Sequence, residues 1–190
     1  MTSPEHNPLL AEWTSEKNIP PFDEIRAEHY EPAFEVAMKM HNDEIDAIVR
    51  STEEPTFENV ILALDNAGIK LNDIGLLFGM LSSSDLDEKM QEVQNNIMPR
   101  IDEHYNAIML NDSLFIRVKA VYDKRADLKL DELQTRLLEK TYNDFVRSGA
   151  LLEGEKKARL MQINTALSAL TIRFGNNLLS ENGAFVLELN

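Results

Sequence analysis

From Phe22 onward, apolar residues recur at three- and four-residue steps through almost the whole sequence. Its 190 residues include only seven prolines and seven glycines, which leaves long tracts without a helix breaker. Apolar side chains at this spacing share one face of an α-helix, and each such face must be buried against another element. The pattern predicts an all-α fold, an antiparallel helical bundle of about seven helices.

Capping signals divide these tracts into separate helices. Thr56 is predicted to cap the start of the second helix, and Gly68 is its expected left-handed C-cap. Ser84 and Asp87 resemble a capping box that opens the fourth helix, after a break at the serine run 82–84. The predicted helices cover approximately residues 31–51, 56–68, 70–81, 84–109, 112–125, 131–147 and 155–181.

The prolines set further limits on the helices. Pro8, Pro20 and Pro21 interrupt residues 1–22, which are predicted to form an extended lead-in that packs on the bundle. Pro32 is expected in the first turn of the first helix, where its missing N–H is harmless. Pro99 lies inside the fourth helical pattern and should kink or split that helix. The lead-in offers four apolar side chains to the bundle, from Leu9, Leu10, Trp13 and Phe22.

The last predicted helix has the strictest apolar stripe in the sequence. Such a stripe predicts a long antiparallel partner, most simply the sixth helix. Residues 184–189 then have the pattern of a β-strand, and a lone strand after a helical bundle has no partner, which indicates truncation. The sequence thus divides into the lead-in 1–22, a helical domain 23–183 and a truncated segment 184–190. The stripe consists of Leu160, Ile163, Leu167, Leu170, Phe174 and Leu178.

Composition excludes several classes of function. The formal net charge is −14, and no basic stripe interrupts it, so neither nucleic acid nor an anionic membrane surface is an expected partner. No apolar run approaches the roughly 18 residues of a membrane span. The chain has no cysteine, which excludes disulfides, thiolate metal sites and cysteine nucleophiles. The sequence is compatible with a location in the cytoplasm or in the periplasm. Met1 is compatible with a native start or with a start that follows a removed leader.

The four histidines do not form the pattern of a zinc protease. Such a site needs two histidines four residues apart on one helix, with a glutamate between them as general base, and no His-Glu-x-x-His occurs. His41 and Glu44 lie on one helical face, but two ligands do not close a metal site. His41 and His104 fall on apolar stripes, which favours hydrogen-bonded core histidines. We therefore assign no catalytic, cofactor-binding or metal-binding residue; the other histidines are His6 and His29.

Other short motifs have structural interpretations. The segment from Gly149 to Lys156 resembles a phosphate-binding loop, but Glu155 stands where such a loop requires lysine, so a helix–helix turn is predicted. Asn111 begins a glycosylation sequon, and its interpretation as a helix cap is favoured. Adjacent carboxylates such as Glu53 and Glu54 point about 100° apart on a helix and cannot share a proton.

Several segments, taken in order, resemble the N-terminal region of the M3 metallopeptidases. The tyrosine after His29 and the Leu-Phe-x-Arg-Val segment favour the peptidyl-dipeptidase (dipeptidyl carboxypeptidase) branch over the oligopeptidase branch. The resemblance covers essentially the whole chain. The segments are Asn7-Pro8-Leu9-Leu10, Phe22-Asp23-Glu24-Ile25, His29-Tyr30-Glu31-Pro32-Ala33-Phe34, Pro55-Thr56-Phe57-Glu58-Asn59 through Ala63-Leu64, Leu110-Asn111 through Leu114-Phe115-Ile116-Arg117-Val118, Asp144-Phe145-Val146-Arg147-Ser148-Gly149-Ala150, and Leu170 to Phe174.

The resemblance implies an almost wholly helical zinc enzyme, divided by a deep channel, that releases dipeptides from the C-terminus of short peptides. In that family the zinc sits on a His-Glu-x-x-His helix in the C-terminal half, which this sequence does not include. The zinc belongs to the parent enzyme, and no ligand or catalytic residue can be transferred to this chain. The implied role of this region is one wall of the channel, and its implied partners are the remainder of the same polypeptide and short peptides.

Two other functions fit the same residues. The helical stripes are equally compatible with a free-standing module that binds a partner helix or peptide in an apolar groove. A metal-storing bundle is less favoured. In the isolated chain, uncovered apolar faces also predict self-association.

Overall fold

A computed structural model of the chain describes residues 6–13, 19–84 and 88–184. Within these ranges it contains six α-helices of twelve or more residues and no strand, so the predicted all-α class is confirmed. The second predicted helix is instead a π-helical segment, Phe57–Leu62, that passes into a single α-turn. The α-helices are α1 (Ala27–Arg50), α2 (Ala63–Asp65), α3 (Ile69–Ser84), α4 (Glu88–Met109), α5 (Asp112–Asp123), α6 (Glu132–Arg147) and α7 (Gly154–Ala184).

Side-chain caps fix the predicted starts of three elements. The Thr56 hydroxyl accepts a hydrogen bond from the backbone N–H of Asn59, and the Asn59 side chain accepts one from the Thr56 N–H. Asp131 and Gln134 form the same reciprocal arrangement before α6. Asn111 caps α5, as predicted. These bonds satisfy amide donors that have no partner within the first helical turn.

Helix α1 begins one turn earlier than predicted. The backbone N–H of Arg26 donates to Nδ1 of His29 at 3.0 Å, which fixes the helix start at Ala27. The expectation that Pro32 lies in the first turn is therefore wrong, since it occupies the second turn. Its missing N–H leaves the carbonyl of the exposed Glu28 without an intrahelical partner, where water can reach it.

The predicted break at the serine run is also wrong, because α3 continues to Ser84. The Ser83 hydroxyl donates to the Met80 carbonyl at 2.8 Å, a bond within the helix that satisfies the hydroxyl without ending the helix. Pro99 lies inside α4, which remains one helix and is not split. The predicted capping box of Ser84 and Asp87 lies outside the described side chains.

The buried residues form two apolar clusters along the bundle. The first cluster joins the lead-in to α1, α3 and α4, and the second joins α1 to the π-segment, α4, α5 and α6. Tyr30 and Phe34 of α1 belong to the first cluster, whereas Ile45 and Ile48 of α1 belong to the second. Helices α1 and α4 therefore extend through both clusters.

The lead-in packs on the first cluster through part of its predicted apolar set. Leu9 is fully buried, and Leu10 and Trp13 pack against the cluster, but Phe22 remains largely exposed. The buried Asn7 side chain donates to the carbonyl of His29 at 2.7 Å, which ties the lead-in to the start of α1. The predicted packing of the lead-in on the bundle thus holds for the leucines and Trp13.

Helix α7 packs antiparallel to α4 and not to the predicted partner α6. The antiparallel order follows from two amide pairs, Asn164 with Asn106 and Asn176 with Asn95. Helix α7 extends to Ala184, past its predicted end and into the first residue of the predicted strand 184–189, whose remaining residues lie outside the described ranges. The division into segments 1–22, 23–183 and 184–190 stays a prediction.

Candidate functional site

Two histidines meet in the interior between the two apolar clusters. His41 of α1 is 5% exposed and His104 of α4 is 8% exposed, and Nε2 of His104 lies 3.0 Å from Nδ1 of His41. At this distance one ring nitrogen donates to the other, a bond that two neutral imidazoles can form. Burial lowers the pKa of both imidazoles, and the positive charge of His41 adds to the lowering for His104.

The surroundings of the pair leave it little room. Gly68, with a φ of 75°, brings the backbone against the His41 ring, and a Cβ there would lie 2.8 Å from ring atoms. The Gly68 N–H donates to a carboxylate oxygen of Glu44 at 2.7 Å, and this carboxylate partly opposes the lowering of the His41 pKa. The Tyr105 ring contacts both imidazoles, with centroids 5.9 and 5.6 Å away.

These residues do not fit a zinc site. No three or more His, Cys, Asp or Glu side chains form a metal-binding group in the part of the chain that the structure describes. Nδ1 of His41 is engaged by His104, and Glu44 is engaged by Gly68. The pair thus has the geometry of hydrogen-bonded core histidines, which the stripe positions predict. The direct bond between the two rings was not predicted, and no pairing signal for it is visible in the sequence.

The remaining sequence candidates have structural roles. His29 caps α1, and His6 is exposed at the start of the described lead-in. Gly149 and Gly154 have φ values of 94° and 54° and bracket the turn between α6 and α7, as predicted for a helix–helix connection. Glu54 forms an ion pair with Lys124.

The outer face of α7 is the most unusual surface of the described structure. Its apolar stripe, predicted to be buried, is exposed instead at five of its six residues, which are 40–70% accessible to solvent, and only Leu160 is partly buried. The exposed area is on the order of 500 Å², near the upper end for the largest apolar patch of a monomer. We call this surface the α7 stripe; it comprises Ile163, Leu167, Leu170, Phe174 and Leu178.

The inner face of α7, which contacts α4, is mainly polar. The Asn164 side chain donates to that of Asn106 at 2.9 Å, and Ser168 hydrogen-bonds to Asp102. None of the α7 side chains that the structure describes is fully buried. Helix α7 is therefore held by hydrogen bonds on one face while its apolar face is directed away from the bundle.

The α7 stripe begins beside a shallow groove of about 470 Å³. The groove combines apolar side chains with the cationic side chains of Lys156 and Arg159. Because its lining is largely apolar and its cations stand beside the anionic Glu155, the groove suits an apolar chain segment. The groove is lined by Leu152, Glu155, Lys156, Arg159, Leu160 and Ile163.

None of the described helices is long and apolar enough to cross a membrane. No protein-family model matches the chain.

The sequence is similar to those of known peptidases. The dipeptidyl carboxypeptidase of Escherichia coli (strain K12) is 35% identical over 184 residues, which are 97% of this chain and 27% of that protein. The dipeptidyl carboxypeptidase of Salmonella typhimurium is 34% identical over 94% of this chain and 26% of its own length. Oligopeptidase A of Haemophilus influenzae is 27% identical, over 91% of this chain and 25% of that protein.

The chain is therefore related to the dipeptidyl carboxypeptidases and, at lower identity, to oligopeptidase A. It spans about a quarter of the length of these relatives. The predicted resemblance to M3 metallopeptidases, and to their peptidyl-dipeptidase branch in particular, is confirmed by this order of identities.

Proposed function

We propose that the chain is the non-catalytic N-terminal helical domain of a zinc metallopeptidase that releases dipeptides from the C-terminus of short peptides. The observation that carries this proposal is the match to the E. coli dipeptidyl carboxypeptidase, which takes in 97% of this chain but only 27% of that protein. A match of this shape is the one expected when a short sequence corresponds to one part of a longer enzyme.

The residue chemistry supports a non-catalytic role for this part. Zinc peptidase chemistry needs at least three protein ligands and a general base that reaches the metal-bound water. The two buried histidines bond to each other, and the nearby carboxylate of Glu44 accepts a backbone hydrogen bond. In this proposal the zinc and its ligands belong to the other three quarters of the enzyme.

The role proposed for this domain is to form one wall of the substrate channel. A wall must keep its shape as peptides pass, and the described fold has the features for this. Helix α1 has 24 residues and is roughly 36 Å long. It packs into both apolar clusters, and the histidine pair joins it to α4 between them.

A peptidase assay on short peptides with added zinc tests the proposal. The chain alone should show no turnover, whereas the E. coli dipeptidyl carboxypeptidase, assayed in parallel, provides the positive control. Zinc-dependent release of dipeptides by the 190-residue chain itself would refute the assignment of catalysis to another part of the enzyme.

A free-standing helical interaction module is the second candidate, and the exposed α7 stripe is the observation that favours it. Sequencing the gene beyond the codon for Asn190 separates the two functions. An open frame that encodes His-Glu-x-x-His supports the peptidase domain, and a stop codon at this point supports the module.

A further inference from the structure

Helix α7 contacts its neighbour α4 through polar side chains and leaves its apolar face exposed, which is the reverse of the usual packing of an amphipathic helix. A 31-residue amphipathic helix normally buries its apolar stripe, because hydrophobic burial is what holds such a helix in place. Here the polar side chains of Asn164, Ser168 and Asn176 contact α4, and the stripe around Leu170 is left in water. The arrangement fits a helix that lies between two bodies and contacts each through a different face.

We infer that the α7 stripe is the surface on which the remaining three quarters of the peptidase polypeptide pack, through an apolar helical face flanked by carboxylates. This inference rests on the proposed function, and it names the surface by which this domain joins the rest of the enzyme. The stripe spans the part of α7 from Ile163 to Leu178 and is roughly 24 Å long, so it can accommodate a helix of about that length.

The length of the relatives supports the remaining polypeptide as the partner of the α7 stripe. The match to the E. coli enzyme covers 97% of this chain, so at most a few of the 31 residues of α7 lie outside it. Almost three quarters of that relative's length lies outside the match and is available to cover the stripe. A surface of this size, if it were left uncovered in the whole enzyme, would favour aggregation.

The charge of the chain and of α7 favours the remaining polypeptide over a second copy of the chain as the partner of the stripe. The chain as a whole has a net charge of −14, but α7 has more cationic than anionic side chains. A second copy would bring another net charge of −14 to this face, whereas a partner with carboxylates beside its apolar face would complement Lys156 and Arg159 at the start of α7. The self-association predicted from sequence is therefore disfavoured at this surface. The charged residues of α7 are Lys156, Lys157, Arg159 and Arg173 against Glu155 and Glu181.

Binding in trans tests the inference. The probe is the part of the E. coli dipeptidyl carboxypeptidase that the match leaves uncovered, produced separately and shown to be folded by circular dichroism. The double variant Leu167→Glu/Phe174→Glu should bind this probe at least about tenfold more weakly than the unaltered chain. The matched control is Leu76→Glu/Ile116→Glu, because both of these side chains are 67% exposed but lie on α3 and α5. Its affinity should change by less than about twofold.

A second measurement uses the absence of cysteine from this chain. Leu170→Cys introduces a single thiol on the stripe, and Leu133→Cys introduces one at a more exposed apolar position of α6. Alkylation is followed by the mass of the 190-residue chain, so cysteines of the probe do not interfere. Adding the probe should slow modification at position 170 at least about tenfold and leave position 133 nearly unchanged.

Three outcomes would overturn the inference. They are no association with the folded probe, association that the α7 double variant leaves unchanged, and protection of position 170 that rises with the concentration of this chain alone. The last outcome would assign the stripe to a second copy. If the α7 substitutions do not weaken association, only the assignment of the binding surface to α7 is contradicted. Peptide turnover by the chain alone would contradict the proposed function itself.

Discussion

Acidification from about pH 7.5 to about pH 5.5 should destabilise the protein through the buried histidine pair. Burial lowers the pKa of both His41 and His104 below 6.5 in the folded state. In the unfolded chain both imidazoles take up protons as the pH falls through 6.5, and the folded state resists doing so. The unfolded state then binds more protons, so the stability contributed by the neutral pair is present above pH 6.5 and is lost below it.

The size of the effect has an upper bound from proton linkage. Each proton that the unfolded state binds in excess costs about 1.4 kcal/mol for each pH unit, so two histidines give at most about 2.7 kcal/mol per unit. The first proton is resisted less than the second, because it can be shared along the 3.0 Å contact between the rings. A second proton would leave two donors facing each other between the apolar clusters. The free energy of unfolding should therefore fall by about 1–3 kcal/mol over this interval.

Urea unfolding followed by circular dichroism at half-unit pH steps measures this slope. The control is the double variant His41→Gln/His104→Gln, whose side chains can hydrogen-bond but do not titrate. The lowered pKa of the Glu54 carboxylate, held by Lys124, acts only below about pH 4.5 and lies outside this interval. A stability that is constant between pH 7.5 and 5.5, or a slope that persists in the double variant, would refute the reasoning.

Three substitutions give further tests by urea unfolding at neutral pH. Gly68→Ala should destabilise the protein by more than about 1–2 kcal/mol, because φ is 75° and the new Cβ would lie 2.8 Å from the His41 ring. The control Gly75→Ala should be neutral or stabilising by about 0.5–1 kcal/mol, since nothing lies within 4 Å of a Cβ in that helix, and a loss of stability there would contradict the argument. Thr56→Ala removes the cap of the π-segment and should cost about 1 kcal/mol, so an unchanged midpoint would show that the cap contributes nothing. Tyr30→Phe should be neutral or stabilising, because the buried hydroxyl has no hydrogen-bond partner within the described residues, and burial raises its pKa to about 12. A loss of stability above about 1 kcal/mol would reveal such a partner.

Local signals in the sequence were sufficient for much of the bundle. Thr56 and Asn111 cap the elements that they were predicted to cap, and α6 begins at its predicted position, because capping depends on residues within one turn. Gly68 adopts the predicted left-handed conformation for the same reason. The interior positions of His41 and the apolar residues around it also follow from helical period alone.

The errors have identifiable physical causes. The earlier start of α1 depends on a side-chain bond from His29 that overrides the usual position of Pro32. The π-segment was missed because residues such as Phe57 and Val60 are compatible with either kind of helix. The partner of α7 was misassigned because an apolar stripe reports that a face is suited to burial and not which element covers it. Polar contacts such as that between Ser168 and Asp102 have no signature in single-sequence periodicity.

The passage of α1 through both apolar clusters links the two halves of the bundle during unfolding. Detaching Tyr30 and Phe34 of α1 from the first cluster would also pull Ile45 and Ile48 out of the second cluster, since a continuous helix moves as a rod. The halves should therefore open together as one cooperative unit, whereas α7, with no fully buried side chain among those described, can detach without disrupting either. With this difference in stability, the bundle would fold first, and α7 could then change its position when another part of the polypeptide packs against it.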